Sequence, residues 1–338
     1  MQMDMARTSL MLGRLERLYF PGTCLNAYQF KVADTHISKF NVPRPVDWAV
    51  SLQYVRFRPL SSRASTATEV NAVTQKTKVI ELPKSITVPP GDELVNLKDF
   101  ENGALLIDKP IGWTSFDVCG KLRSTLKFTG KVKVGHAGTL DPMATGLLIV
   151  CTGKGTKACD TFMAMSKSYT GTIRLGEGTN TYDAEARVSE RMPWEHITDD
   201  EIVQAASSLS GNIMQVPPMF SAIKVKGQKL YDLAREGQVI EREPRPVTIT
   251  TFSVKRLKDG DPQELHFVVE CSKGTYIRSL AYDLGRALGT VAHLTSLRRE
   301  SIGDFNVTHA WEFPKLLTQL STHKERLTSV DDETASIS

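Results

Sequence analysis

Residues 135–146 read Gly-His-Ala-Gly-Thr-Leu-Asp-Pro-Met-Ala-Thr-Gly, and this stretch limits the folding of the chain more tightly than any other. Three of the twelve residues are glycine, which marks a backbone that bends sharply or passes close to something else. The only carboxylate, Asp141, precedes Pro142, and a residue before proline is biased away from the helical region. A basic segment, Lys131 to Val134, leads in, and an apolar run, Leu147 to Val150, leads out. The expectation is a rigid, extended loop between two strands. Two roles stay open for Asp141 at this point: capping a turn in an ordinary connector, or doing chemistry from a fixed position.

The flanking sequence sets the fold class. Ala104 to Ile107 reads as a short apolar strand, and Ser115 as the cap of a helix running to about Leu126 with Val118 and Leu122 on one face. Gly155 to Met165 reads as a second helix. Tyr169 to Leu175 alternates like a half-buried strand. Thr198 and Glu201 form a capping box for a helix to Leu209, and Leu230 to Gly237 is a short helix closed by glycine. Val247 to Leu257 and Leu265 to Cys271 read as strands, and Tyr276 to Leu288 as a helix closed by Gly289. Strands and helices mix without regular alternation, so the expected class is α+β with a mixed, largely antiparallel sheet flanked by helices.

Five segments resemble, in order, the motifs of the tRNA pseudouridine-55 synthases of the bacterial TruB type. Asp108-Lys109-Pro110-Ile111-Gly112-Trp113-Thr114-Ser115 resembles the opening K-P-x-G-x-x-S. Residues 135–146 resemble G-H-T-G-x-L-D-P-x-A-T-G, with Ala137 where the family usually has Thr. Lys167-Ser168-Tyr169 with Arg174-Leu175-Gly176, Pro217 to Lys224, and Ser272 to Arg278 resemble K-x-Y…R-L-G, P-P-x-x-S-A-x-K and S-K-G-T-Y-I-R. The resemblance covers roughly Gly103 to Pro314 and implies the pseudouridine synthase fold over residues 103–316.

Converting uridine to pseudouridine breaks an N1–C1′ bond and makes a C5–C1′ bond, so neither cofactor nor metal is needed. Positive charge develops at an anomeric carbon, where retaining glycosidases also place a carboxylate. The resemblance implies that Asp141 is this carboxylate; attack at C1′ and proton abstraction to a glycal both remain open. Burial disfavours an ionised carboxylate, and a guanidinium partner counteracts this; by resemblance that partner is Arg278, at the end of the Ser272–Arg278 strand motif. Tyr169 is implied to lie against the base, His136 to fill the gap left by the flipped nucleotide, and Lys109 to support the Asp141 loop and contact RNA. Read without the family, Arg278 fits a surface helix turn, Tyr169 a core tyrosine, His136 a loop histidine and Lys109 a solvated lysine.

Between about 221 and 246 the chain carries Lys224, Lys226, Lys229, Arg235, Arg242 and Arg245 around Tyr231, Pro244 and Pro246. Such a run is a solvated basic face in most proteins. The resemblance implies an inserted segment that clamps RNA, with Lys224, Lys226, Lys229 and Arg245 on phosphates. The partner is then the T-arm of tRNA, recognised by shape and unstacked bases, with no guide RNA and a monomeric enzyme.

The whole chain has 338 residues and a net charge of +4, compatible with nucleic acid without pointing to it. Five dispersed cysteines, none in a C-x-x-C pair, argue against a zinc ribbon and fit a reducing compartment. No apolar run approaches a membrane span. Residues 1–70 hold nine Lys/Arg and five Asp/Glu, with Arg56, Arg58 and Arg63 among hydroxyl residues. This composition is expected of a disordered transit peptide for a mitochondrion or chloroplast. Residues 71–102 read as a linker and 317–338 as a disordered tail, with no additional C-terminal RNA-binding domain. A phosphate loop at Gly153-Lys154 fails, because Leu148 and Gly155 stand where Gly and Ser or Thr are required. Two competing functions are a nucleoside hydrolase, which would release free base, and a catalytically inactive tRNA-folding factor of the same fold.

Overall fold

The computed structural model describes residues 82–83, 86–87, 100–225 and 227–323, with only the backbone of Phe128, Thr129 and Lys229. The expected transit peptide lies outside the described residues, as do most of the expected linker and the end of the tail.

The strands are β1 (Ile86–Thr87), β2 (Ala104–Lys109), β3 (Val134–His136), β4 (Thr145–Thr152), β5 (Lys167–Leu175), β6 (Glu177–Thr179), β7 (Val188–Arg191), β8 (Gly211–Gln215), β9 (Lys224–Val225), β10 (Gln228–Lys229), β11 (Arg245–Arg256), β12 (Glu264–Cys271), β13 (Ala292–Ile302), β14 (Phe305–Asn306) and β15 (Trp311–Glu312). The helices are α1 (Ser115–Thr125), α2 (Cys159–Ala164), α3 (Asp199–Ser208), α4 (Leu230–Arg235) and α5 (Ile277–Ala287). Eleven strands form one sheet in the order β1-β2-β4-β13-β5-β12-β11-β8, with β3 on β4, β14 on β13 and β15 on β2. The β1/β2, β15/β2 and β13/β4 pairings are parallel and the other pairings of this sheet antiparallel. This is the α+β, largely antiparallel class expected.

Local chemistry explains the elements near the site. The cap of α1 is Thr114 rather than Ser115: its hydroxyl accepts from Asp117 N, and the Asp117 carboxylate accepts from Thr114 N. Ser115 is displaced one position into the helix, where its buried hydroxyl accepts from Leu140 N at 2.8 Å. The residue expected to start a helix therefore fastens that helix to the Asp141 loop. In α3 the Thr198–Glu201 capping box forms as expected.

Three apolar clusters fill the fold. One lies between β5, β11, β12 and β13 and the helices α3 and α5. A second joins α1 to one face of β2 and β4, and a third joins the opposite face of those strands to α2. Gly285 in α5 is required by packing, since a Cβ there would lie 2.5 Å from Ala292 N. The expected linker contributes β1. Residues 317–323 of the expected disordered tail complete a helix over 313–323, because Phe313, Leu316 and Leu320 share one face and are buried in the second cluster.

Candidate active site

β3 and β4 pair antiparallel, with His136 opposite Val150, and present residues 137–144 as the loop between them. The loop is held from several sides. Ala137 N donates to Ile149 O, and Ala144 N donates back to Asp141 O. Gly112 N donates to Pro142 O at 2.8 Å, Ser115 grips Leu140, and Met143 N donates to Glu185 Oε1 at 3.0 Å. Leu140 and Ala144 sink into the first cluster. Asp141 is thus fixed through its neighbours on both sides, while its own side chain stays 32% exposed.

Arg278 closes on this carboxylate from the first turn of α5, not from a strand end as the motif suggested. Its Nε donates to Asp141 Oδ2 at 2.8 Å and its Nη2 to Oδ1 at 3.2 Å, the two-pronged geometry a guanidinium offers a carboxylate. Two further donors are used: Nη1 on Thr181 O at 3.1 Å and Nη2 on Phe220 O at 2.9 Å. Asp183 Oδ2 stands 3.5 Å from Nε and is itself buried. Burial pushes the Asp183 carboxyl above the usual range, and bonds from Thr181 and the Glu185 amide pull it back.

Tyr169 lies in β5 directly opposite Arg299 of β13. Burial pushes its phenol upward, and a hydrogen bond from the Arg299 side chain works against that. Arg299 was not anticipated. It is 1% exposed, with Nε on Leu147 O at 2.7 Å and Nη2 on Gly138 O at 3.3 Å, so it links Tyr169 to both ends of the Asp141 loop. Gly146 makes this possible: at φ +98°, a Cβ there would stand 2.3 Å from Arg299 O.

Lys109 is fully buried, which corrects the expectation that it contacts RNA. Its ammonium donates to Trp113 O at 2.6 Å, Pro110 O at 2.9 Å and Pro142 O at 3.4 Å, so it supports the loop from beneath. Burial brings it down to about 8, with the Asp141 charge opposing. His136 sits at the end of β3 with Nδ1 buried and without a hydrogen-bond partner. Burial, then the nearby Arg299 charge, holds its pKa low and favours the neutral ring.

In the basic segment Lys224 and Arg245 are exposed. Lys226 and the side chain of Lys229 lie outside the described residues. The segment is anchored by Leu230 and Leu233, both buried, and Arg235 lies over the Tyr231 ring at 5.4 Å. Phe220 O, just before it, is a partner of Arg278. A cleft of about 440 Å³ adjoins the loop, lined by Met143, Thr170, Glu185, Ser296, Leu297 and Arg298 among others. Among the described residues no group of three or more His, Cys, Asp or Glu could hold a metal ion.

The domain model described as "TruB family pseudouridylate synthase (N terminal domain)" matches residues 123–277, and "tRNA pseudouridylate synthase B C-terminal domain" matches residues 278–332. A tRNA pseudouridine synthase B of Flavobacterium johnsoniae is 48% identical over 214 residues, covering 62% of this chain and 92% of the relative. The chain belongs to the TruB family of pseudouridylate synthases. Another relative of the same name, from Paenarthrobacter aurescens, is 46% identical over 222 residues, covering 65% of this chain and 70% of its own. Among solved structures, an H/ACA ribonucleoprotein bound to a substrate RNA containing 2′-deoxyuridine matches at TM-score 0.50 and 23% identity, over 72% of this chain and 64% of that one, a likeness of fold. The boundary between the two TruB domain models falls between Ile277 and Arg278, so the Asp141–Arg278 pair joins the two.

Proposed function

We propose that this TruB-family chain is a stand-alone tRNA pseudouridine synthase that isomerises the T-loop uridine, position 55 of tRNA, without a guide RNA. The observation that carries the reading is the carboxylate of Asp141, held two-pronged by the buried Arg278 on a loop fastened from α1, β2 and β13. The relatives' shared name supports tRNA as substrate, and the five collinear motifs support the T-loop.

In this reading the target nucleotide leaves its stack and enters beside Asp141. The carboxylate acts at the ribose, where charge develops as the N1–C1′ bond breaks. Its orientation is fixed by Arg278, so little reorganisation is required at the moment of reaction. Tyr169, a neutral phenol beside the Arg299 guanidinium, faces the base and takes part in removing the C5 proton after the base has turned. His136, uncharged, fills the space vacated in the RNA. Lys224, Lys226, Lys229 and Arg245 bind phosphates and set affinity rather than register. The enzyme acts as a monomer, and residues 1–70 direct it to a mitochondrion or chloroplast.

The test is incubation of the full chain with unmodified tRNA and mapping of pseudouridine at single-nucleotide resolution. Product at the T-loop uridine is expected. Product only elsewhere defeats the positional assignment, free uracil points to a nucleoside hydrolase, and binding without product points to a folding factor. A fluorescent fusion of residues 1–70 tests the address, and a diffuse cytosolic signal defeats it.

A further inference from the structure

We propose that Cys151 and Cys159 are a reversible thiol-oxidation site, closing to an intramolecular disulfide in the presence of a low-molecular-weight disulfide such as glutathione disulfide. Cys151 lies near the end of β4, fully buried, and Cys159 opens α2 with its side chain partly exposed. The two pack in the same apolar cluster, close enough for their thiols to interact. Gly135, opposite Cys151 in the β3–β4 ladder, is also next to this sulfur: a Cβ on it would lie 3.8 Å from Cys159 Sγ.

The surroundings give the two thiols different work. Interaction with the Cys151 thiol, helped by Lys133 and opposed by burial and Asp160, holds Cys159 below the usual thiol range. The same interaction, together with burial, pushes Cys151 up. A partly exposed thiol with raised thiolate character attacks first, and a shielded neighbour resolves. Cys159 thiolate attacks one sulfur of glutathione disulfide, giving a mixed disulfide and one glutathione thiolate. Cys151 then loses its proton and attacks Cys159 Sγ, forming the Cys151–Cys159 bond and expelling the second glutathione thiolate. Two protein thiols are oxidised, one glutathione disulfide is reduced to two thiols, and the two protons pass to the expelled thiolates. The final bond is about 2.05 Å, shorter than the present contact, so one side must move. Cys151 is fixed between Ala104 of β2 and Gly135 of β3, so the head of α2 moves toward it. Cys119, the third thiol nearby, is buried and pushed up to about 12, which leaves it unreactive.

The test uses the full chain carrying Cys24→Ser, treated natively with glutathione disulfide, acid-quenched, alkylated and digested with trypsin. Cleavage at Lys154 and Lys157 separates the two cysteines, so the expected product is a pair of peptides joined through Cys151 and Cys159 and released by dithiothreitol. Cys159→Ser should abolish the reaction, Cys151→Ala should arrest it as a glutathione adduct on Cys159, and Cys119→Ser should leave it unchanged. If Cys151→Ala does not fold, a transient adduct on Cys159 preceding the joined peptides in the parent serves the same purpose. An unmodified Cys159, an adduct that never resolves in the parent, or a bond to Cys119 would overturn the proposal.

Discussion

Replacing Arg278 with Met removes the partner that holds Asp141, and the geometry sets the size of the effect. Breaking a buried ion pair by deleting one member costs about 3–5 kcal/mol, because the other charge stays behind unpaired. Asp141 retains 32% side-chain exposure, so solvent takes up part of the loss, leaving about 2–4 kcal/mol at the site. In the transition state a preorganised group of this kind is worth about 2–4 kcal/mol, so kcat/KM for pseudouridine formation is expected to fall about 30- to 1,000-fold. Binding of tRNA should change far less, since Arg278 is buried and four of its five N–H donors are spent on Asp141, Thr181 and Phe220. Asp183 also loses its cation, so the melting temperature should drop and must be measured beside the rate. Arg278→Lys keeps the charge and discards the planar fork, and should recover less than tenfold. A lysine variant near parental activity, or a folded methionine variant within threefold of the parent, would refute the reasoning.

Asp141→Asn should leave no detectable pseudouridine while tRNA affinity stays within about tenfold, because phosphate contacts dominate such interfaces; normal turnover in a deamidation-free sample would remove Asp141 from its role. Gly146→Ala should destabilise the fold by more than about 1 kcal/mol in a denaturant melt, since the backbone is left-handed there and Arg299 O occupies the space. Changing Lys224, Lys226 and Lys229 together to Ala should weaken tRNA binding and flatten its salt dependence, whereas an unchanged slope would make the segment a solvated face. Burial pushes Asp283 up to about 6 from 3.8, so the folded state keeps a proton that the unfolded state releases, and stability falls as pH rises through that window. Asp283→Asn should therefore raise the melting temperature near pH 7 and change it little near pH 4, and an equal gain at both would contradict this.

Elements with local signals were legible in the sequence. The α3 capping box and the glycine after α5 are fixed by residues within one turn, and the alternation in β11 by its one buried face. Strand β13 gave no such signal although it sits between β4 and β5. Its sequence is half polar, and irregularities between Leu294 and Ser296 and between Arg299 and Ser301 break the alternation that marks a strand. The helix over 313–323 did carry a signal in the spacing of Phe313, Leu316 and Leu320, masked by the polar residues around it. Ser115 was misplaced by one position because Thr114 and Ser115 are both good caps, and only the contact with Leu140 decides between them.

At the site, motif resemblance pointed to Asp141, to Arg278 as its partner and to Lys109 beneath the loop, but not to Arg299. Arg298 and Arg299 stand next to each other in sequence, and nothing in their local pattern separates their roles. In a strand, adjacent side chains take opposite faces: Arg298 grips Asp108 in a two-pronged contact at 2.7 and 3.0 Å, and Arg299 turns inward to Leu147, Gly138 and Tyr169. Both arginines can be buried or half-buried only because each meets an acceptor supplied by distant chain, and nothing local to residue 299 encodes those acceptors. The nearest trace in sequence is Gly146, whose missing Cβ leaves room for the Arg299 backbone. The parallel β13–β4 pairing aligns Arg299 with Gly146, while the antiparallel β13–β5 pairing aligns it with Tyr169. A one-residue slip of β13 would carry Arg299 to the other face and release both the loop and the phenol at once. The register of this strand, and not the loop sequence alone, therefore determines where Asp141 and Tyr169 stand.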